Sequence, residues 1–331
     1  MRYLLIGCGR IGTRHADAAR SCGLSPVGFC DRVRARAERF AEGDDALVFT
    51  DAAEALGTNP ELVAIATDSG SHAALARQAL LAGANVLIEK PMAMCLSDAD
   101  SLIELAEQKG LTLAVCHQNR FNPGVRGLFA ALGEGALGEL CHGAAQVRWY
   151  RDAASYRQAA WRGKWATDGG ALMNQSIHCI DLLRAVFGPA KEVRCFLRNA
   201  AHPEIETEDC AAAAVRFESG AIGLIEASTC CVPANLSETL SVFGTKGSAV
   251  LGGTCLDRVD TWRIPGVLPP DPGAVPPDIY GFGHRALYAD IIDAILRGRA
   301  PLVSGREGRE ALALVLACYE SAFTAHTAAV R

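Results

Sequence analysis

Three polar runs in this chain carry side chains able to work on an oxygen and the carbon that bears it. The first, Glu89-Lys90-Pro91, ends the apolar stretch Asn85 to Ile88. Lys and Glu seldom sit at a buried strand end unless paired or facing a cleft. There Lys90 can donate to an oxygen gaining negative charge, and Pro91 fixes the chain direction, as a cis Lys90–Pro91 bond would. The second run is Asp168-Gly-Gly-Ala-Leu-Met-Asn174-Gln-Ser-Ile-His178-Cys-Ile-Asp181. On a helix Asn174, His178 and Asp181 share one face, and the paired glycines let the helix start approach a ligand or another backbone. An imidazole titrating near neutrality can take a hydroxyl proton while a hydride leaves the same carbon. The third is His117-Gln-Asn119-Arg120-Phe121-Asn122-Pro123, a polar stretch placed to line such a site. Taken singly, each also reads as structure: a solvated turn lysine, a core histidine bonded to a carbonyl, a hydrogen-bonded linker.

The elements that must position these groups begin at the N-terminus. Tyr3 to Ile6 reads as a strand buried on both faces, and Gly7, Gly9 and Gly12 follow in G-x-G-x-x-G spacing ahead of an Ala-rich helix, Thr13 to Ser21. Gly7 allows the tight turn, Gly9 lets backbone approach a pyrophosphate, and Gly12 lets helix pack on strand; the helix then aims its free N–H groups at the phosphates. A second strand, Pro26 to Cys30, ends in Asp31, nineteen residues past Gly12, where a carboxylate can accept both ribose hydroxyls. Asp31 favours NAD, because a 2′-phosphate would meet its charge; Arg32 beside it could pair that phosphate, so NADP stays open. The residues expected to line the cofactor are Gly7, Gly9, Arg10, Ile11, Gly12, Asp31, Arg32, Thr67, Ser69, His72, Glu89, Lys90 and Asn119.

Strands and helices alternate onward: a helix over 32–42, strands at 47–49, 62–66 and 85–88, a short helix capped by Asp51, a helix from His72 to Ala82, another to Lys109 opened by a Ser97/Asp100 capping box, and a strand at 111–116. This rhythm predicts an α/β fold, a doubly wound parallel sheet over residues 1–118, with Gly7, Asp31, Thr67, Lys90 and His117 at the carboxyl ends of its strands and facing one crevice. The pattern then changes. A helix at 123–132, a strand at 140–150, a helix at 169–187 and hairpins at 211–227 and 239–251 predict an α+β domain with an open, mostly antiparallel sheet over 119–331. Six of the fourteen prolines fall in 264–278, an expected extended surface loop. Helices at 284–296 and 306–325 close the chain and are free to pack back on the first domain.

At 331 residues two cores are the default. A net charge of −5 without a Lys/Arg cluster argues against nucleic acid, and no apolar run approaches the ~20 residues of a membrane span. The thirteen cysteines lack any C-x-x-C spacing and sit mostly in apolar stretches, so no metal is expected, and reduced thiols place the protein in the cytoplasm.

Together the motifs GCGRIGTRHADA, ATDSGSHAALARQALLAGANVLIEKPMA, NRFNP, WRGKWATDGGALMNQSIHCIDLL and GREALALVLACYESA resemble the glucose–fructose oxidoreductase, inositol dehydrogenase and rhizopine catabolism (Gfo/Idh/MocA) family of sugar dehydrogenases, over nearly the whole chain. The resemblance implies a Rossmann domain binding NAD(P) and a homodimer or homotetramer joined through the C-terminal sheet. It implies hydride transfer at a secondary alcohol or ketone carbon of a sugar, sugar derivative or cyclitol. It assigns Lys90 to polarise the reacting oxygen and His178 to act as acid/base, with Asn174, Arg120, Tyr150, Arg162 and Asp181 at the substrate. Inositol-type members carry Asp where this chain has Asn174. Asn174 with Gln175, Arg148-Trp-Tyr150 and Trp161-Arg162-Gly163 looks more like the subgroup oxidising nucleotide-linked amino-sugar uronates at C3, in which Arg148, Arg151 or Arg162 would meet a carboxylate or phosphate. Two alternatives stand beside it: an NAD-binding sensor or regulator of the same fold without turnover, and a member with other reductive chemistry.

Overall fold

The computed structural model describes residues 1–271, 273, 276 and 278–331; four residues of the expected proline-rich loop, 272, 274, 275 and 277, lie outside the described residues. The chain divides into two compact units, one of residues 1–117 and 284–309, the other of residues 118–283 and 310–331.

The first unit is built on β1 (Arg2–Ile6), β2 (Ser25–Cys30), β3 (Leu47–Phe49), β4 (Leu62–Ile65), β5 (Asn85–Ile88) and β6 (Leu113–Val115), in the order β3-β2-β1-β4-β5-β6. Every neighbouring pair is parallel. Leu4, Leu5, Leu62, Val63, Ile65, Leu87 and Ile88 have no exposed surface, as expected of strands covered on both faces by crossover helices. These helices are α1 (Arg10–Ser21), α2 (Arg34–Ala41), α3 (Ala52–Leu56), α4 (His72–Leu81) and α5 (Leu96–Lys109). Asp51 caps α3 through the Glu54 N–H, as its position predicts. The Ser97/Asp100 capping box does not form. Helix α5 starts two residues earlier with Cys95 at its N-cap, and the Asp100 carboxylate instead accepts from Arg309.

Ile6, Ile65, Ile88 and Val115 sit level across the sheet. The residues that follow the strands, Gly7, Asp31, Ala66-Thr67, Glu89-Lys90 and Cys116-His117, therefore leave from one edge. The Lys90–Pro91 peptide is cis.

The second unit opens with a short 3₁₀ turn at Gln118–Phe121 and α6 (Pro123–Gly133). Its sheet comprises β7 (Leu140–Arg148), β8 (Ala190–Arg198), β9 (Cys210–Phe217), β10 (Ile222–Ser228), β11 (Ser237–Gly244), β12 (Ser248–Gly252) and β13 (Arg258–Arg263), after the short helix α7 (Ala153–Arg157) and α8 (Ile177–Phe187). Helix α9 (Gly283–Arg297), α10 (Gly305–Thr324) and a last edge strand, β14 (Ala328–Ala329), complete the chain. The strand order is β13-β12-β11-β7-β10-β9-β8-β14, antiparallel throughout except for β7 with β10. The two expected hairpins are β9–β10 and β11–β12; β13 and β14 carry too weak a pattern to be read from sequence.

One sheet face is buried under α8 and the other is open, so residues alternate strictly along β9 and β10. Leu224, Ile222 and Phe196 stand on the open face at 53%, 54% and 66% exposure, beside Ala212 and Ala214.

On central strand β7, Gly143 faces α8. A Cβ there would collide with the Ser241 carbonyl oxygen and lie 2.6 Å from Phe187 Cζ. Gly133, ending α6, has nothing within 4 Å of the same position. Gly143→Ala should therefore cost about 1–3 kcal/mol, while Gly133→Ala should be neutral or gain up to about 1 kcal/mol. Urea unfolding of the two variants measures the contrast.

Candidate functional site

The nucleotide end of the first unit is made of backbone. Gly7 turns with φ +101°, and a Cβ at Gly12 would collide with the Gly7 carbonyl oxygen, which is why helix and turn lie so close. At Gly9, the N-cap of α1, a Cβ would have nothing within 4 Å. No side chain caps α1 and its first turn carries no acid, so its leading N–H groups and positive end remain for an anion. Asp31 is fastened just beyond: Oδ2 accepts from the Cys8 N–H at 3.0 Å and Oδ1 from the Val33 N–H at 2.8 Å. This ties the carboxylate to the glycine turn while leaving it partly exposed. An uncapped helix end beside a pinned acid fits the pyrophosphate and ribose of a dinucleotide. Arg10 is exposed and Ile11 half-buried at the start of α1. Arg32 extends into solvent, its side chain 89% exposed, and approaches Asp68 at 3.4 Å.

The other expected cofactor residues of this unit are tied to one another. Thr67 Oγ1 lies 2.7 Å from Ser71 Oγ, and Ser69 is buried. His72 is fully covered, with Nδ1 2.8 Å from the Pro91 carbonyl oxygen and Nε2 3.3 Å from that of Thr67, so it joins two strand-end loops. Burial pushes its imidazole below the ordinary value. Glu89 is also buried: Oε2 accepts from the Lys90 N–H at 3.0 Å, and Oε1 lies 3.0 Å from His15 Nε2. Lys90 itself is half-buried at the strand end.

In the second unit the Asp168–Asp181 segment is not one uniform helix. After Gly169 and Gly170 the chain makes a π-helical turn over Ala171–Ser176 and only then enters α8. Glu208 holds the start of that turn. Its carbonyl accepts from Ala171 N–H at 3.1 Å and its Oε1 from Leu172 N–H at 2.9 Å, so Glu208 satisfies the leading donors of the turn. Its carboxylate fills the space a Cβ at Gly170 would need. The wider turn changes the phase ahead of His178, so the regular spacing of a shared face applies only from α8 onward.

Asn174 donates to Asp168 Oδ1, while Asp168 Oδ2 accepts from Gly163 N–H at 2.6 Å. Asp168 therefore brings the Trp161-Arg162-Gly163 turn to Asn174. His178 is 8% exposed on the first turn of α8. Asp181 lies one turn further, and both its oxygens accept from Arg120, at 2.7 Å from Nε and 2.6 Å from Nη2. This pair is almost wholly buried. Both residues are expected at the substrate; the pair joins the Gln118–Phe121 turn to α8. Asn119 likewise donates to Glu238 at 3.2 Å within this unit.

The remaining expected contacts divide. Tyr150 holds the chain through backbone bonds: its N–H donates to Asn235 and its carbonyl accepts from Arg151. Arg148 is a bidentate partner of Glu226. Arg162 stacks its guanidinium 5.1–5.2 Å over an aromatic face as Arg151 does, in its case Trp161, and its buried Nε has no hydrogen-bond partner among the described residues.

Sequence reading gave no role to Asp168, Glu208 or Tyr319 in this unit, nor to His15, Tyr288 and His284 in the first. The signal for Asp168 was available, since it opens the glycine pair. Glu208 and Tyr319 are brought to Gly170 only by the fold: Tyr319 Oη accepts from Gly170 N–H and lies 3.2 Å from Glu208 Oε1. Two groups of potential metal ligands exist among the described residues, His15/Glu89/Cys116/His284 and His202/Asp209/Cys230, each with donor atoms within 4.8 Å of one another. No described helix is long and apolar enough to cross a membrane.

The comparisons fit this architecture. Residues 1–117 match the oxidoreductase family with an NAD-binding Rossmann fold, and residues 125–250 match the GFO/IDH/MocA C-terminal domain. The WlbA dehydrogenase of Bordetella pertussis, solved with NADH and UDP-GlcNAcA, is 32% identical with TM-score 0.90, the match covering 100% of this chain and 99% of that one. The WlbA dehydrogenase of Chromobacterium violaceum, solved with the same two ligands, is 30% identical with TM-score 0.91, covering 100% and 96%. The D-apiose dehydrogenase of Paraburkholderia graminis is 29% identical, covering 96% of this chain and 86% of its own.

A two-domain chain with a Rossmann cradle for a dinucleotide defines a class, the NAD-binding oxidoreductases. Within that class this chain belongs to the Gfo/Idh/MocA family.

Glu208 yields a stability test. Burial pushes its carboxyl up to about 7, with the Asp168 charge adding to the rise, against the Leu172 N–H and Tyr319 bonds that favour the anion. Its folded value exceeds its unfolded value near 4.5, so the native state is favoured while the acid is protonated in both states, and that advantage is lost as pH rises from about 4.5 through about 7. Glu208→Gln keeps the shape and cannot ionise. Relative to the parent it should gain on the order of 3 kcal/mol between pH 5 and pH 8, read from urea unfolding at several pH values. A difference independent of pH would show that Glu208 does not titrate there.

Proposed function

We propose that the protein is an NAD-dependent dehydrogenase oxidising a secondary alcohol carbon of a sugar, with a nucleotide-linked sugar uronate as the favoured substrate class. The supporting observation is Arg162, a stacked arginine whose buried Nε lacks a partner, held by Asp168 in the same neighbourhood as Asn174. A guanidinium so prepared suits bidentate capture of a carboxylate. The likeness to the WlbA dehydrogenases solved with UDP-GlcNAcA, over the whole chain, supports the same class.

Gly7, Gly9, Gly12 and Asp31 would hold NAD, with Arg10, Ile11, Thr67 and Ser69 around them; Arg32 lies on the ribose side. Bound NAD supplies the acceptor for the hydride leaving carbon. The rest is the work of this chain. Lys90 donates to the reacting oxygen and stabilises the negative charge that develops on it. His178 takes the hydroxyl proton in oxidation and returns it in reduction. Asn174, its amide fixed by Asp168, orients the sugar. Arg120 and Asp181 serve indirectly, by fixing α8 and with it His178. The cysteines, buried largely among apolar side chains, suit a reducing compartment and the cytoplasmic placement of this reading.

A second copy of the chain is the proposed occupant of the open sheet face. Phe196, Ile222 and Leu224 lie exposed beside Ala212 and Ala214 there, and a contiguous apolar patch of this kind marks an interaction surface. Leu224→Glu should halve the mass measured by light scattering, or reduce it further, with unfolding by urea still cooperative. An unchanged assembly would place the interface elsewhere.

For catalysis, Lys90→Ala and His178→Ala should each lower kcat by about 10²–10⁴-fold with NADH affinity nearly intact. The double variant should lose far less than the product of the two, since groups acting on one proton and one oxygen fail together. Arg162→Ala should raise KM for a nucleotide-linked uronate by about 10-fold or more and leave the same nucleotide sugar without the carboxylate unaffected. Reduced-nicotinamide absorbance with both substrates reads the outcome. Near-normal rates in both single variants would remove the catalytic assignment. Tight NADH binding without turnover on any sugar would indicate a sensor.

A further inference from the structure

We propose that His15 is a positioning residue for Lys90, acting through Glu89 to tie the lysine's strand end to the cofactor-cradling helix α1. The inference rests on the reading of Lys90 given above. It starts from a chain of three contacts, all in the first unit and all buried. Tyr288 Oη on α9 lies 2.9 Å from His15 Nδ1, His15 Nε2 lies 3.0 Å from Glu89 Oε1, and Glu89 Oε2 accepts from the Lys90 N–H at 3.0 Å. His15 and Tyr288 have no exposed surface, and Glu89 has 5%.

The direction of each bond follows by elimination. An ionised carboxylate only accepts, so Nε2 of His15 carries the hydrogen and donates to Glu89. The Tyr288 hydroxyl keeps its proton, because burial raises the phenol well above its ordinary value, and it donates to Nδ1. Tyr288 thus sets the imidazole tautomer, His15 aims a donor at one oxygen of Glu89, and the other oxygen holds the backbone of Lys90.

The ionised state of Glu89 depends on that arrangement. Burial alone would push its carboxyl up. The His15 hydrogen bond and the positive charge of Lys90 together outweigh it and hold the carboxyl well below the usual carboxylate range. The titratable groups facing Glu89 are therefore His15 from α1, Lys90 beyond β5, and His284 from α9, with Cys116 beyond β6 in the same cluster and Tyr288 behind His15. Nothing in hydride transfer itself requires a histidine in the middle of α1. Its position makes sense as a brace: the helix whose free end meets the pyrophosphate is bonded to the residue that fixes Lys90, so the substrate-oxygen donor keeps its register against the cofactor cradle.

The test compares His15→Leu, His15→Gln and Tyr288→Phe with the parent and Lys90→Ala. His15→Leu should lower kcat by about 10–100-fold, with KM for the sugar and the NADH dissociation constant, read by fluorescence, each within about 2-fold. With its donor gone, Glu89 protonates at higher pH, and the acid limb of kcat/KM should move up by about one pH unit or more. His15→Gln, which restores an N–H, should recover part of the rate. Tyr288→Phe should give the same two signatures at smaller size, and it decides the matter should His15→Leu not fold. Loss of melting temperature with kcat and the acid limb unchanged would overturn the proposal, leaving the role of Lys90 standing if Lys90→Ala is inactive. An active Lys90→Ala would remove both. One equivalent of a transition metal in the purified protein, lost in His15→Leu, would also overturn it by making these side chains ligands.

Discussion

The chemistry of the first unit depends on the level carboxyl edge of its parallel sheet. In a sheet covered on both faces, burial cannot choose between registers by alternation, because successive covered positions are apolar. What chooses here is where the apolar runs stop. β1, β2, β4, β5 and β6 give way at Gly7, Asp31, Thr67, Glu89 and His117 to residues that cannot enter the sheet, or do so only at a cost. Sliding β5 by one position would drive Glu89 between β4 and β6, where a carboxylate costs several kcal/mol without partners. The same residues that carry the proposed function therefore also set the register that aligns them.

That economy explains why the first unit was so legible. The period of apolar runs, the glycine spacing and the single acid after β2 are local patterns, and each maps onto one element with little interference. The capping box failed because a stronger partner won: Arg309, more than two hundred residues away, claims the Asp100 carboxylate. Sequence spacing can show that a cap is available but not that a distant arginine competes for it.

The second unit was harder for the same physical reason on a larger scale. The segment from Asp168 to Asp181 has the spacing of one helix, and its residues are good enough helix formers to read so. Glu208, on the approach to β9, places its carboxyl against Gly170 and takes the leading donors of the π-helical turn that stands there instead. Arg120 and Asp181, expected at the substrate, are found bonded to each other. A conspicuous charge beside a proposed site invites assignment to a ligand, yet a buried arginine needs a carboxylate, and the pair answers that need internally; removing one partner would leave the other as an uncompensated charge, a loss of about 3–5 kcal/mol. Arg162 is the reverse case, indistinguishable in sequence from Arg148 and Arg151 and set apart only by what the fold withholds from it.

Glu89 and Glu208 make the underlying rule explicit. Both are buried glutamates beside a glycine- or proline-marked turn, and in both burial is the largest influence and acts upward. Their fates differ through their surroundings. Glu89 faces an imidazole donor and the charge of Lys90, so it stays charged and serves as a fixed anchor. Glu208 has two neutral donors and an anion, Asp168, so its proton is held to about 7. A fixed charge keeps its geometry across the working range, as the strand end bearing Lys90 requires. A carboxyl that titrates near neutrality makes the start of the π-helical turn, and so the setting of Asn174, responsive to pH. The two units thus anchor their proposed catalytic segments with the same side chain shifted in opposite directions, and it is the neighbours contributed by remote elements, not the glutamates themselves, that decide which way.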